Sequence, residues 1–324
     1  MDPHLIFDNL LQPPILFFAL GMLAVAVRSD LAIPDALARL FSLYLLLSIG
    51  FKGGVKLAES GLSMDAVKAV AAGLAMSAIV PVYTFFIFRR MVSTPNAAAI
   101  AAAYGSISAV TFLTAMTFLI RQDVAFGGYM VAVVALMESP AIIIGVMLYR
   151  RFGAEADPAM RKRELVRESL TNSSVFLLLG SMLIGVLSGS RGWEAMEPFT
   201  DNLFQGMLCF FLLEMGIRSA RQLEEIRRAG LPLGIAAVAL PLINGLLGLL
   251  LARALNMNQG DAILFCILAG SASYIAVPAA MRHAIPDANP GLYVSMALAI
   301  TFPFNIAIGI PLYTYLVGLL WGGL

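Results

Sequence analysis

The sequence predicts an all-α polytopic membrane protein with ten transmembrane helices, arranged as two inverted five-helix repeats. Three observations lead to this fold class. The chain of 324 residues is 60% hydrophobic and 13% charged, whereas a soluble domain carries about 25% charged residues. Its apolar residues form ten long runs, and three short motifs recur at a nearly constant spacing. Because such a chain cannot hide its apolar surface from water, we expect a lipid bilayer to cover it.

The predicted spans are the ten apolar runs. A helix needs about 20 residues to cross the hydrocarbon layer of a membrane, and the first run is shorter than the others. The spans cover roughly Pro14–Val27, Ile33–Val55, Met64–Phe88, Pro95–Leu119, Phe126–Tyr149, Ser169–Ser188, Pro198–Ala220, Gly230–Leu255, Asp261–Met281 and Gly291–Trp321.

The distribution of Lys and Arg sets the predicted orientation. Of the 21 Lys and Arg residues, six lie on the N-terminal side of these spans and 15 on the opposite side. By the positive-inside rule the second side is cytoplasmic, so we expect both termini outside a cell inner membrane. The predicted organisation is a first repeat over residues 1–150, a cytoplasmic linker over 151–168 and a second repeat over 169–324.

The two halves carry similar motifs in the same order, at offsets of 164 to 166 residues. Five spans per repeat is an odd number, so the second repeat enters the membrane from the opposite side. Inverted repeats with a binding site between them recur among transporters. The matching pairs are Gly105-Ser-Ile-Ser108 with Gly270-Ser-Ala-Ser273, Leu47-Ser-Ile-Gly50 with Leu213-Glu-Met-Gly216, and Gly145-Val-Met-Leu-Tyr149 with Gly309-Ile-Pro-Leu-Tyr313.

Each Gly-Ser motif lies near the middle of a span and predicts a break in helices four and nine. Glycine costs about 1 kcal/mol inside a helix, and serine offers the backbone competing hydrogen bonds. Pro278 supports the second break, because proline is tolerated in the first turn of a helix but not deep inside one. Two half-helices that begin at these breaks would direct partial positive charge and free N–H groups at one point, which suits an anion.

The residues predicted to bind substrate follow from these breaks. The alternative interpretation is that the small residues only allow close helix packing. The candidates are Gly105, Ser106, Ser108, Thr111, Gly270, Ser271 and Ser273.

Polar side chains inside the apolar spans are candidates for ion coupling: Glu138, Glu214 and Asn305. A carboxylate within a membrane is energetically expensive and is a functional candidate by default, either as a Na⁺ ligand or as a proton carrier. The alternatives are a structural pair of each carboxylate with a hydroxyl or an arginine on a neighbouring helix, and an interhelical hydrogen bond of Asn305. The two cysteines and two histidines lack metal-site spacing, so we predict no metal site and no cofactor besides Na⁺ as the coupling ion.

Several stretches of the chain together carry a family resemblance. They are Tyr104-Gly-Ser-Ile-Ser108, Met137-Glu-Ser-Pro-Ala141, Arg282-His-Ala-Ile-Pro286-Asp-Ala-Asn-Pro290 and Ile310-Pro-Leu-Tyr313. On these stretches, and nearly end to end, the chain resembles the sodium-dependent bicarbonate transporter family of the cyanobacterial carbon-concentrating type. The resemblance implies a homotrimer whose subunits have a gate domain and a core domain. It also implies that bicarbonate binds between the two broken helices beside Na⁺, in the region of the Gly-Ser motifs.

Three positions depart from the family pattern. Val110 replaces a hydroxyl residue, Tyr274 replaces an acidic residue, and Glu138 replaces an aspartate. The loss of a carboxylate at Tyr274 removes a possible cation ligand. A bulkier and more apolar site would suit a different small anion, such as an organic carboxylate.

The predicted function is therefore secondary active transport, as Na⁺-coupled symport of bicarbonate or a similar small anion by alternating access. The alternative is a Na⁺- or H⁺-coupled transporter of another small anion or carboxylate. We predict that the protein is not an enzyme, because neither Ser108 nor Ser273 has a histidine within its motif and the metal ligands are missing. The net charge of +1 gives no reason to expect nucleic acid binding.

Overall fold

The computed structural model describes residues 10–61, 63–153 and 173–322. The predicted linker lies outside the described residues from position 154 onward. Across the described ranges the regular secondary structure is helical and contains no strand. The all-α part of the prediction is confirmed.

The helices are numbered here in chain order. The first half contains α1 (Pro13–Ala26), α2 (Asp35–Ser60), α3 (Met64–Phe88), α4 (Thr94–Gly105), α5 (Ala109–Arg121) and α6 (Met130–Phe152). The second half contains α7 (Ser173–Glu197), α8 (Phe204–Ala229), α9 (Leu231–Ala254), α10 (Gln259–Ala269), α11 (Ala276–Ala284) and the long α12 (Pro290–Trp321), which includes π-helical turns at Met296–Thr301 and Asn305–Gly309.

Local sequence explains where several helices begin or bend. Ser63 caps α3 by accepting a hydrogen bond from Ala66 N–H at 3.2 Å, and Asn258 caps α10 by accepting from Asp261 N–H at 2.9 Å. Such side chains satisfy N–H groups that a helix start leaves unpaired. A kink in α7 falls at Gly189, whose φ of 55° favours glycine.

Seven helical runs within the described ranges are long and apolar enough to cross a membrane. They comprise α2, α3, α4 with α5, α6, the 55-residue run Val175–Ala229, α9 and α12, while α1 and α10 are apolar but shorter. Large apolar side chains such as Phe176, Leu187 and Leu231 are more than 70% exposed, a surface that lipid can cover. The chain is therefore a multi-pass membrane protein; the arrangement as ten inverted-repeat spans stays a prediction.

Close helix pairs join the first half of the chain to the second. A side chain added at Gly21 of α1 or Gly216 of α8 would overlap backbone of the facing helix, and the same holds for Gly50 of α2 and Gly185 of α7. Gly185 follows Gly21 by 164 residues, and Gly216 follows Gly50 by 166. In sequence, α7 therefore corresponds to α1, and α8 corresponds to α2. The contact of α1 with α8 is then equivalent to the contact of α7 with α2. We call α1, α2, α7 and α8 the paired helices.

The remaining helices form a second group, which we call the crossing bundle (α3–α6 and α9–α12). In the first half α3, α4 and α6 pack together, and in the second half α9, α10 and α12 pack together. The helices α4 and α10 lie deepest, with every residue of Ala97–Gly105 and Gly260–Ala269 buried. The many alanines of α4 allow this close packing, since small residues let helix backbones approach.

Candidate functional site

Both Gly-Ser motifs interrupt a helix in the structure. Three residues separate α4 from α5, and six separate α10 from α11. In each half the motif glycine packs against a proline inside the preceding long helix. A side chain at Gly105 would overlap the Pro81 ring, and one at Gly270 would lie 2.7 Å from the Pro241 carbonyl oxygen. Glycine is required at both positions because the backbone approaches its neighbour so closely.

The two breaks bond directly to each other. Ser108 N–H donates to Ser271 Oγ at 2.9 Å. Ser273 N–H donates to the Ala103 carbonyl oxygen at 2.8 Å. These bonds satisfy backbone groups that the breaks release, which is the condition for irregular backbone inside a membrane protein.

The motif serines differ in what their hydroxyl groups still offer to a ligand. Ser271 Oγ accepts a hydrogen bond from Ser108 N–H and donates one to Leu268 O at 2.8 Å. The hydrogen of this hydroxyl is therefore already used within the protein. Ser108 Oγ accepts from Thr111 N–H at 3.2 Å, and Ser273 Oγ accepts from a backbone N–H of α11 at 3.3 Å. An accepting hydroxyl keeps its own hydrogen, so Ser108 and Ser273 have an O–H to donate to a ligand.

A small cavity lies beside the crossing of the breaks. Its volume is about 40 Å³, where a single water needs about 10–15 Å³. On one side it is bordered by Ser108 and Ala109 at the start of α5 and by Ala276 at the start of α11. On the other side it is bordered by apolar residues of the paired helices, including Leu45 and Phe211. The cavity therefore lies between the crossing bundle and the paired helices.

Among the ion-coupling candidates, Glu138 lines this cavity. It lies on α6, is buried, and shares the cavity wall with Ser108 and Ser273. Ser106 lies behind it, with its Oγ 3.5 Å from the Glu138 carbonyl oxygen. A carboxyl group in this position can repel an anion when ionised or carry a proton when neutral.

Thr111 and Asn305 do not line the cavity: Thr111 lies in the first turn of α5, and Asn305 lies against the second break. The helix α5, which carries Thr111, packs against the Asn305–Gly309 turn. Asn305 Nδ2 donates to the Gly270 carbonyl oxygen at 2.9 Å. Thr111 Oγ1 and Asn305 Oδ1 are buried without a hydrogen-bond partner among the described residues. Buried oxygens of this kind are costly to leave alone and are ligands that a hard cation prefers.

Glu214 lies apart from the crossing. Its carboxylate pairs with Arg218 one turn further along α8, and Arg218 also bonds Asp35 at 2.9 Å. These three residues line a larger space of about 530 Å³, together with Arg221 and Arg282. We call this space the arginine-lined vestibule. Glu214 thus forms a structural pair, as the alternative predicts, but with an arginine of its own helix rather than of a neighbouring helix.

Sequence reasoning missed the cavity wall that faces the breaks. Leu45 and Phe211 are ordinary apolar residues of membrane helices, and nothing in their local sequence marks them; only the packing of α2 and α8 brings them to the cavity. Tyr274 also lines the cavity. The sequence already singles out Tyr274, because it follows the second Gly-Ser motif directly and replaces an acidic residue of the family pattern.

These features define a polytopic helical membrane protein of the transporter class, in which broken helices meet beside a small site. A family model for the Na⁺-dependent bicarbonate transporter superfamily matches residues 13–318, nearly the whole chain. The chain belongs to that superfamily. This finding confirms the resemblance seen in the sequence and the prediction that the protein is not an enzyme, and it supports bicarbonate transport and sodium dependence in general. Among curated proteins, none matches the chain significantly.

Proposed function

We propose that the protein is a secondary active transporter that moves bicarbonate, or a similar small anion, together with Na⁺ by alternating access. One observation carries the proposal: the N-termini of α5 and α11 border the same small cavity, with Ser108 and Ser273 in its wall. Helix N-termini attract anions through their unpaired N–H groups and partial positive charge. Family membership supports the choice of bicarbonate.

The size of the cavity favours a small substrate. About 40 Å³ is the space of roughly three waters at about 10–15 Å³ each. An anion of four heavy atoms fits this space, and a larger organic carboxylate has little room. The apolar wall formed by α2 and α8 strengthens the polar contacts, because charges interact more strongly where water is excluded.

The buried oxygens of Thr111 and Asn305 support a place for Na⁺. Asn305 lies beside Gly270, where the C-terminal end of α10 carries partial negative charge, and Thr111 lies on α5, which packs against the Asn305–Gly309 turn. Coupling ions in transporters are held by oxygens of this kind, from side chains and from the ends of broken helices. On this proposal Na⁺ binds behind the anion and partly neutralises it.

The contact pattern of the helices supports inverted repeats and a moving boundary. The paired helices and the crossing bundle meet at the cavity. Within the crossing bundle, the contacts between helices of the first half have equivalents between the corresponding helices of the second half, and among the paired helices the contact of α1 with α8 is equivalent to that of α7 with α2. We propose that the paired helices act as the gate domain and the crossing bundle as the core domain. The homotrimer, the inner-membrane location and the orientation with both termini outside are parts of the same proposal.

The experiment that tests this function is uptake of labelled bicarbonate into proteoliposomes at fixed pH. An inward Na⁺ gradient is compared with an equal K⁺ gradient. We expect Na⁺-dependent uptake that falls about 100-fold or more in a Ser108→Ala, Ser273→Ala double variant, since a hydrogen bond to a charged group contributes about 1.5–3 kcal/mol.

A matched control is Ser77→Ala, which removes a buried serine whose Oγ donates to Leu74 O within α3. This variant should transport like the wild type. Wild-type protein that is folded and inserted but gives no bicarbonate uptake would contradict the proposed substrate.

A second candidate is H⁺-coupled transport through Glu138, because its carboxyl group lines the cavity. A Glu138→Gln variant separates the two candidates. If protons are the coupling ion, this variant loses accumulation driven by a pH gradient. If Na⁺ is the coupling ion, Na⁺-driven accumulation persists in the variant.

A further inference from the structure

Tyr274 lies between the cavity and the arginine-lined vestibule. It follows Ser273 in the second break, and its side chain lines both spaces. Its ring meets the Phe302 ring edge-on, with 5.4 Å between the centroids, and the side chain is buried. The aromatic ring thus separates the candidate substrate site from a vestibule on the side that the Lys and Arg distribution predicts to be cytoplasmic.

The hydroxyl group of Tyr274 lacks a well-formed hydrogen bond in this position. It interacts with the nearby Ser108 side chain, but no hydrogen bond of good geometry reaches its buried oxygen from any residue in the described ranges. Buried tyrosine hydroxyls elsewhere in the crossing bundle are bonded: Tyr104 contacts Thr301 Oγ1 at 2.8 Å, and Tyr313 donates to Pro241 O at 2.8 Å. A buried polar group without a partner is unfavourable, so a ligand in the cavity would satisfy it.

We propose that Tyr274 is a substrate-binding and specificity-determining residue: its hydroxyl donates a hydrogen bond to the bound anion, and its ring closes the site toward the vestibule. The inference rests on the proposed anion site and deepens it. With Ser108 and Ser273, Tyr274 gives three hydroxyl donors, drawn from both breaks, around one small cavity. Three donors that converge from different directions match an oxyanion with several acceptor oxygens better than a halide ion, which offers no directed acceptors.

The hydrogen bond is tested by ligand-induced thermal stabilisation of the purified full-length protein in Na⁺ at fixed pH. The probes are bicarbonate, nitrate, formate and chloride, each titrated to find the concentration that gives half of the maximal shift. We expect oxyanions to stabilise the wild type and Tyr274→Phe to need an about 10–100-fold higher concentration, which is the loss of one hydrogen bond to a charged group.

Tyr313→Phe is the matched control for this titration. It also removes a buried tyrosine hydroxyl, but one that donates to Pro241 O. It should lower the unfolding temperature without ligand and leave the half-maximal concentration unchanged.

The outcomes separate this inference from the proposed function. Stabilisation by nitrate or formate but not bicarbonate, lost in Tyr274→Phe, would retain the role of Tyr274 and remove bicarbonate as the substrate. Equal half-maximal concentrations for the wild type and Tyr274→Phe would overturn the hydrogen bond. Chloride acting as well as the oxyanions would overturn the specificity, and a wild type that no anion stabilises would overturn both proposals.

The barrier is tested by thiol labelling, which needs no substrate. The background carries Cys209→Ser and Cys266→Ala, and Ala109→Cys reports access to the cavity. A charged thiol reagent is applied from the vestibule side of oriented membrane vesicles. Tyr274→Phe should label as slowly as the parent because the ring remains, while Tyr274→Ala should label at least about 10-fold faster. Equal labelling rates in all three proteins would overturn the barrier.

Discussion

The two breaks look alike in sequence and differ in structure. The first is three residues long and ends in a serine cap, in which Ser108 Oγ accepts from Thr111 N–H at 3.2 Å. The second is six residues long, and the residue before α11 is Ile275, whose side chain has no hydrogen-bond acceptor. Ser273 reaches into α11 from further away and accepts from Val277 N–H at 3.3 Å.

The difference indicates a division of labour between the halves. The first break is short and capped, so it forms a fixed part of the site. The second break places Tyr274 and Ile275 between the motif and the following helix, and both residues line the cavity and the vestibule. On the two proposals above, the first half shapes the site and the second half closes it toward the vestibule. Motifs of similar sequence need not have equal roles.

The largest effect is expected from a glycine of the first break. Gly105→Ala should destabilise the protein by about 1–3 kcal/mol, because the new methyl group overlaps the rigid Pro81 ring. Gly270→Ala should cost less, because its closest neighbour is the Pro241 carbonyl oxygen at 2.7 Å. Thermal unfolding of the purified variants measures both.

The control for these glycines is Gly180→Ala on α7, where an added side chain would meet no described atom within 4 Å. If Gly105→Ala were as stable as Gly180→Ala, the backbone of the first break would not be packed rigidly against the Pro81 ring.

The next largest effect is on the KM for the anion, and it distinguishes Ser108 of the first break from Ser271 of the second break. Ser108→Ala should raise the KM for the anion by about 10-fold or more, since it removes a donor to a charged ligand. Ser271→Ala should lower the unfolding temperature and leave KM within about twofold, because both functions of its hydroxyl serve the protein. Initial uptake rates across substrate concentrations measure KM, and similar KM increases in both variants would show that the assignment of the serines is incorrect.

A smaller effect concerns the ion site at the second break. Asn305→Ala should raise the Na⁺ concentration for half-maximal uptake by about 10-fold, because it removes a neutral oxygen ligand. The KM for the anion at saturating Na⁺ should change little. Asn244→Ala is the control, since Asn244 is fully buried and bonded to Tyr83 and to Tyr104 O. If the Na⁺ concentration for half-maximal uptake rose in Asn244→Ala but not in Asn305→Ala, the ion would bind away from Asn305.

The smallest effect is expected outside the breaks. Glu214→Gln should change KM and Na⁺ dependence by less than about twofold, because the buried Glu214 carboxylate is held by Arg218 beside the vestibule and does not line the cavity. The same uptake measurements apply. Loss of Na⁺ coupling in this variant would restore Glu214 as an ion-coupling residue.

The sequence predicted the breaks because Gly105-Ser106 and Gly270-Ser271 act through local backbone preference, which short-range patterns reveal. It singled out Glu138 as a candidate because an acidic residue in an apolar run is unusual, whereas its place in the cavity wall is a finding of the structure. It did not predict Leu45 or Phe211, since their role depends on how the paired helices meet the crossing bundle. It left the role of Glu214 open between ion coupling and a structural pair, although the spacing of Glu214 and Arg218 by four residues on a predicted helix is itself a short-range signal for a pair.

The most direct test of the central claim is a structure of the protein determined experimentally with saturating Na⁺ and bicarbonate, compared with one determined without bicarbonate. We expect density for a small anion in the cavity, within hydrogen-bond distance of Ser108 Oγ and Ser273 Oγ, that is missing without bicarbonate. Density confined to the arginine-lined vestibule, or an unchanged cavity at saturating bicarbonate, would contradict it.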